Sequence, residues 1–527
     1  MRNVRILDCT LRDGGYINNW RFGKRVITDI VDNLKDAGID IIECGFLRPV
    51  ERDEDTSVFS AVSQIEKIIT PKKESCMYVA MIELNEYRPE LLDEEYSGRS
   101  VDGIRLTFRK KEWEQAKEVG REIIRKGYKL FVQPVGTCTY SDEELLPLIK
   151  DVNILNPYAF YLVDTLGMLY RDDMRRFYYL IDNHLDNDIS IGFHSHNNLQ
   201  LSFANAQELI RLNQKRPIIV DTSVYGMGRG VGNLATELFV DYINNNIEQR
   251  YSLIPVLNIA DKYLMTIYAQ QRWGYDLPYF LSATVKCHPN YATYLMRRQT
   301  LSIERIMCLL SLIPIDCRDE YDEKLIEKLY YELQECSVAD DETVTCFSKN
   351  VKDKSVLIIG PGSTIEAQCD AVDKMVSNAE YIISTNFYSG KFNEDAVFIS
   401  NERRYRNLEK AELPTDILIL ATSNLALDNN ESALIFDYTK LLGEGPSADN
   451  AGAMLIRLLK KAGAKKVYLA GFDGFDVDAS LNYFTENYKQ DIDFETAKKK
   501  NCEISKQFKS ALVGIEYEVI TKTKYEI

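Results

Sequence analysis

Up to about residue 250, short β-branched apolar runs alternate with longer amphipathic stretches, and this alternation restricts the fold more than any other feature of the chain. The runs number eight: VRILD (4–8), IDIIECG (39–45), CMYVAMI (76–82), VDGIRLTF (101–108), KLFVQPV (129–135), AFYLVD (159–164), ISIGFHS (189–195) and PIIVDTSVYG (217–226). Short apolar blocks with a helical period between them call for βα units around a parallel sheet. Eight such units in about 250 residues have the size and count of a (β/α)8 barrel.

From 251 to 338 the strand-like runs stop. IADKYLMTIYAQQRWGY, YATYLMRRQ, IERIMCLLSLI and EKLIEKLYYELQE repeat at the helical period, which predicts a helical extension that packs on the barrel and completes its active site. Residues 339–354, within SVADDETVTCFSKNVKDK, show no clear period and read as a linker. Strand-like runs resume in 355–527 with VLIIGPGSTIE, EYIISTNF, DAVFIS, DILILA, SALIFDY, KKVYLAGFDGF and YEVIT, separated by helical patterns such as NAGAMLIRLLKKAGA. This part is expected to be a doubly wound, Rossmann-like α/β domain.

The 527 residues are 45% hydrophobic and 27% charged, a globular composition spread over more than one domain's length. Lys plus Arg total 64 against 80 Asp plus Glu, and the formal charge of −16 repels a phosphate backbone, which disfavours a nucleic-acid partner. No apolar run nears the roughly 20 residues that span a bilayer. MRNVRILDCTLRDGG enters a strand at once with no signal-peptide core, so a cytoplasmic location is expected. The eleven cysteines fall at irregular spacings without a Cys-x-x-Cys pair and read as reduced structural thiols.

Histidine is rarer, four residues in all, and two of them form His194-Ser195-His196 at the end of the seventh run. Positions i and i+2 of a strand face one side, so both imidazoles can reach one metal ion, although buried polar pairs share that spacing. Other unusual polar residues mark the same end of the runs. Arg12 and Asp13 follow the first, Glu43 ends the second, Arg105 lies in the fourth, Gln133 nears the end of the fifth, Asp164 and Thr165 end the sixth, and Asn233 follows the eighth. Barrel enzymes assemble their sites at C-terminal strand ends, whereas structural polar residues would scatter to both ends.

LDCTLRDGGY, GFHSHNNLQL and GMGRGVGNLATE resemble, in this order, the motifs of metal-dependent lyases and aldolases with an Asp-Arg-Glu signature on a TIM barrel, the DRE-TIM metallolyases. That family includes 4-hydroxy-2-oxovalerate aldolase, hydroxymethylglutaryl-CoA lyase and isopropylmalate synthase, and the resemblance spans residues 1 to about 300. It implies that Asp13, His194 and His196 ligate a divalent metal, with Asn233 an additional or water-mediated ligand. Arg12 would stabilise an enolate and Glu43 would orient Arg12. Thr165, in a turn similar to the family's D-T-x-G, would contact the substrate carboxylate, and Gln133 joins Arg12 and Thr165 as an expected substrate contact. One carboxylate and two imidazoles leave three octahedral positions open, enough for a 2-oxo acid to chelate, and Mg2+, Mn2+ or Co2+ suits that donor set. Phe46, Leu47 and Arg48 are candidates for the acceptor side of the pocket.

Two positions depart from the family. The 4-hydroxy-2-oxovalerate aldolases use a histidine three residues after the metal aspartate as acid/base, and here that position is Tyr16. A phenol beside a metal and Arg12 could titrate below its usual range. The segment HPNYATYL (288–295) is similar to the family's Y-S-S-F-L, which puts Tyr291 at its second catalytic position and offers His288 as the missing base, or else as a surface or capping residue.

In the second domain, Gly360-Pro361-Gly362-Ser363-Thr364 follows a strand and precedes a helical pattern, which would aim free N–H groups at an anion. Gly360, Gly362, Ser363 and Thr364 are therefore candidate nucleotide contacts, or only a tight turn. NAGAMLIRLLKKAGAKKVYLAGFDGF faintly resembles bacterial sialyltransferases and hydroxymethylpterin diphosphokinase-like domains, yet no histidine follows His288 to match the sialyltransferases' catalytic one. A nucleotide or nucleotide-sugar ligand stays open.

The expectation is a divalent-metal-dependent aldolase that makes or cleaves a 4-hydroxy-2-oxo acid from pyruvate and an aldehyde. By analogy it would be a homo-oligomer serving keto-sugar synthesis for a surface glycan. A Claisen-type synthase or lyase using an acyl-CoA, and a nucleotide-dependent transferase working through the second domain, are the alternatives.

Overall fold

The structure is a computed structural model of the chain and describes residues 4–212, 216–409, 413–414, 417–427, 433–478, 482–483 and 493–527. The chain divides into two compact units, Met1–Thr293 with Ile313–Tyr321, and Tyr294–Leu312 with Asp322–Ile527.

In the first unit each of the eight apolar runs contains a strand: β1 Val4–Asp8, β2 Ile41–Leu47, β3 Met77–Glu83, β4 Gly103–Phe108, β5 Lys129–Pro134, β6 Ala159–Asp164, β7 Ser190–Ser195 and β8 Ile218–Thr222. Neighbours pair in parallel, and β1 pairs with both β2 and β8, which closes the sheet into a TIM barrel. A two-residue strand, Val58–Phe59, also pairs with β2. The surrounding helices turn apolar stripes inward. Helix Lys24–Ala37, for example, buries Ile27, Ile30, Val31 and Leu34 at the i, i+3, i+4, i+7 spacing.

Leu7, Ile41, Val79, Phe131, Ala159, Tyr161 and Ile219 pack together as the apolar cluster of the barrel interior. Side chains two residues further along a strand face the same way, so Glu43, Gln133 and Asp221 stand above Ile41, Phe131 and Ile219 at the C-terminal mouth. All three are buried. An apolar floor thus carries a polar layer.

The helical block after the barrel is divided between the units. Leu253–Ile259, Ala260–Leu264, Met265–Gln270 and Leu277–Thr284 stay with the barrel, whereas Ile303–Leu312 and Glu323–Gln334 belong to the second unit. The stretch read as a linker is mostly a helix, Asp341–Val351, that buries Val344, Phe347 and Val351. Its stripe of three apolar residues among polar ones is too narrow to stand out as a period.

The second unit holds β9 Ser355–Ile359, β10 Tyr381–Thr385, β11 Ala396–Ile399, β12 Leu418–Thr422, β13 Leu434–Phe436, β14 Lys466–Ala470 and β15 Glu516–Val519. They form one parallel sheet in the order β13-β12-β11-β10-β9-β14-β15. The order reverses between β9 and β14, as in doubly wound folds. Helix Ala451–Lys461, whose N-terminal amide at Ala453 donates to Asn450 Oδ1 (3.1 Å), buries Met454, Leu455, Leu458 and Leu459 in this unit's core. All eleven cysteines are free. No helix among the described residues is long and apolar enough to cross a membrane.

Candidate metal centre

Strand β1 ends at Asp8 and the chain turns at once through Thr10–Gly14, where the N–H groups of Arg12 and Asp13 both donate to the Cys9 carbonyl (3.0 and 2.8 Å). This tight turn buries two opposite charges side by side. Arg12 Nε donates to Glu43 Oε2 (2.9 Å), and Nη1 donates to Asp13. Arg12 Nη2 is buried with no hydrogen-bond partner among the described residues. Burial alone would raise the Asp13 carboxyl, but Arg12 beside it, then His196, His194 and the Asn233 amide, hold it well below the usual carboxylate range.

Strand β7 delivers His194 and leads directly to His196, with ring centroids 5.3 Å apart. One ligand atom from each of Asp13, His194 and His196 lies within 4.8 Å of the others. Burial lowers His196 to about 4, so at neutral pH it is an uncharged imidazole with a lone pair to offer. His194 Nδ1 bonds Asp221 Oδ2 (2.9 Å), which leaves Nε2 to ligate.

Asn233 bridges to His196 through its backbone and donates through Nδ2 to Asp13, while its Oδ1 is buried without a partner among the described residues. Three donors around one point, an unpartnered carbonyl oxygen and an unpartnered guanidinium N–H fit a hard divalent cation with an anionic ligand beside it.

Tyr16 lies against this group, its ring edge-on to Trp20 (4.8 Å) and Phe46 (6.2 Å). Its phenol is pushed up to about 12, because burial outweighs Arg12. Arg48 covers the faces of Phe46 (4.3 Å) and Trp20 (4.9 Å) while paired with Glu83 and Glu86.

Other expected site residues have different partners. With its carboxamide oxygen turned to Arg105, Gln133 accepts from Nη2 and Nε (2.7 and 3.0 Å). Thr165 Oγ1 accepts the Gly136 N–H (2.9 Å) and ties two loops together. His288 Nδ1 accepts the Asn290 N–H (3.2 Å) at the start of helix Pro289–Arg298, the capping use, and burial lowers it to about 4. The Tyr291 hydroxyl bonds the carbonyls of Cys317 (2.9 Å) and Glu320 (2.8 Å), which anchors the 313–321 segment.

In the second unit the glycine-rich loop is filled by its own chain. Asp473 accepts from Ser363 Oγ (3.2 Å), from the Thr364 N–H (2.8 Å) and from the Thr364 hydroxyl. A Cβ on Gly362 would lie 2.3 Å from Asp473 Oδ1, so glycine is needed for that approach. An anion contacting Ser363 and Thr364 would meet this carboxylate. Gly360, Gly362, Ser363 and Thr364, expected as nucleotide contacts, form a turn closed on Asp473, with Gly360 donating to the Ala470 carbonyl (2.7 Å).

Sequence reasoning missed Asp221 and assigned no role to Arg105. The available signal was a charge inside an apolar strand, IIVDT in β8 and GIRLTF in β4, because a buried charge requires a partner.

Residues 109–260 match the HMGL-like family model. Over 247 residues the chain is 27% identical to an oxaloacetate decarboxylase from Mycobacterium tuberculosis, which covers 45% of this chain and 69% of that protein. Over 269 residues it is 26% identical to a 4-hydroxy-2-oxovalerate aldolase from Geobacillus genomosp. 3, covering 49% and 76%. Among solved structures it is similar to an HMG-CoA lyase from Brucella melitensis, at 15% identity and a TM-score of 0.41, covering 52% and 100%. The two relatives compared by sequence are thus a decarboxylase and an aldolase, the latter of the kind the motifs resemble.

Proposed function

We propose that the HMGL-like domain generates the enolate of pyruvate and joins it to, or releases it from, an aldehyde, with a divalent metal as cofactor. The observation that carries this reading is the buried, unpartnered Nη2 of Arg12 beside the Asp13, His194 and His196 group. Asp13, His194 and His196 would hold Mg2+, Mn2+ or Co2+, with Asn233 Oδ1 a further donor, and the ion would supply Lewis-acid polarisation of the 2-oxo group.

The chain itself supplies the rest. Glu43 and Asp13 hold the Arg12 guanidinium by Nε and Nη1, so its free N–H is fixed before the substrate arrives. A preorganised cation stabilises charge developing on the enolate oxygen without reorganising, and arginine keeps its charge at every working pH. Tyr16, whose phenol burial pushes up, suits a proton donor to the nascent alkoxide. Trp20 and Phe46 beside it exclude water from a carbanion-like intermediate.

Purified protein with Mn2+ and pyruvate, presented with a panel of aldehydes and followed by mass spectrometry, tests the reading. A 4-hydroxy-2-oxo acid product supports it. Absence of product with every aldehyde, together with release of pyruvate from oxaloacetate, would make the protein a decarboxylase instead, since that reaction passes through the same enolate.

A further inference from the structure

We propose that Arg105 and Asp221 are positioning residues that close a ring of alternating charge beginning and ending on two metal ligands; the proposal rests on the metal site argued above. The ring runs Asp13, Arg12, Glu43, Arg105, Asp221, His194. Arg12 joins Asp13 to Glu43, and Glu43 Oε2 accepts from both Arg12 Nε (2.9 Å) and Arg105 Nη1 (2.7 Å). Arg105 Nη2 then pairs with Asp221, and Asp221 Oδ2 lies 2.9 Å from His194 Nδ1. No side chain in the ring is more than 6% exposed, and that of Arg105 is 0% exposed.

Two guanidinium groups and three carboxylates in a barrel interior are a costly way to fill space. Apolar residues of similar volume would do so at no loss, and often at a gain, in stability. What the ring adds is direction. Asp221 accepting from Nδ1 fixes the His194 tautomer and ring plane so that Nε2 keeps its lone pair for the metal. Arg105 in turn holds Asp221 in this orientation, and Gln133 accepts from Nη2 and Nε of Arg105. Because Glu43 serves Arg12 and Arg105 through one oxygen, the cation that meets the enolate and the histidine that meets the metal share one support.

The test is Mn2+ affinity of the full chain, read by electron paramagnetic resonance alongside thermal melting. Asp221→Asn should bind Mn2+ roughly 10–100-fold more weakly while remaining folded. Glu43→Gln, although Glu43 contacts no metal ligand, should also weaken it several-fold. Asp221→Asn can fail to fold by stranding Arg105, so the pair Arg105→Met, Asp221→Asn, which removes both charges, is measured in parallel and should show the same weakening. Folded variants with wild-type Mn2+ affinity and only a lowered melting temperature would overturn the proposal and make the ring structural. Wild-type protein that fails to bind Mn2+ would overturn the metal site and the ring together. Mn2+ binding lost in the ring variants supports the ring even if no aldehyde is accepted.

Discussion

Gly228 and Asn233 approach so closely that a Cβ on the glycine would lie 2.3 Å from Asn233 Nδ2. The same Cβ would be 3.0 Å from Asp13 Oδ2, so the missing side chain is what lets Asn233 bond the Asp13 carboxylate. Gly228→Ala should push Asn233 away and weaken Mn2+ binding about tenfold, the order expected when a group orienting a metal ligand is lost. Isothermal titration against wild type checks it; equal affinity would show that Asn233 has no part in the site.

Changing both His194 and His196 to Ala, or Asp13 to Ala, should abolish Mn2+ binding and leave the barrel folded. The floor of Leu7, Ile41, Val79, Phe131 and Ile219 lies below these groups and does not depend on them. Circular dichroism and Mn2+ titration of both variants provide the check, and a variant that still binds stoichiometric Mn2+ would contradict the assignment.

Arg12→Lys keeps the charge but loses the fork. An ammonium cannot bond Glu43 and Asp13 in the plane set by Nε and Nη1 while directing a further N–H at the substrate. Turnover should fall by roughly 10²-fold or more, the scale of losing one preorganised donor to a developing oxyanion. The kinetic constants should show the loss in kcat rather than in KM.

His288 gives a pH prediction with a definite sign. Its folded value is about 4, and the unfolded chain's is near the ordinary 6.5. Between those values the unfolded state binds more protons, so stability falls as pH drops through this window and recovers as pH rises. His288→Asn, which can still accept the Asn290 N–H, should lose less melting temperature than wild type between pH 7.5 and pH 4.5. Parallel losses would show that His288 titrates normally.

The strands were legible because barrel strands are apolar on both faces, toward the floor and toward the helices, which produces unbroken runs. Arg12, Asp13, His194, His196 and Asn233 were legible because their chemistry sits at fixed offsets from those runs. Asp221 was not, since a lone acid in an apolar run calls for a partner without saying which: Arg105 is 116 residues away in sequence. The same distance problem hid Asp473, whose carboxylate fills a loop 109 residues earlier at Thr364. Tyr291 shows the converse, because a local motif offered a catalytic position while its hydroxyl was already committed to carbonyls at Cys317 and Glu320. The burial of Tyr16 against Trp20 and Phe46, which raises its phenol, is a tertiary property that no local motif carries.

Pyruvate enolisation is the step on which the account stands, and it can be observed without knowing the aldehyde. Protein in D2O with Mg2+ and pyruvate, followed by proton NMR, should show loss of the methyl signal through deuterium exchange. That exchange should stop on chelation of the metal and be absent in Asp13→Ala. A methyl signal that persists at the buffer rate with folded, metal-loaded wild-type protein would contradict the account.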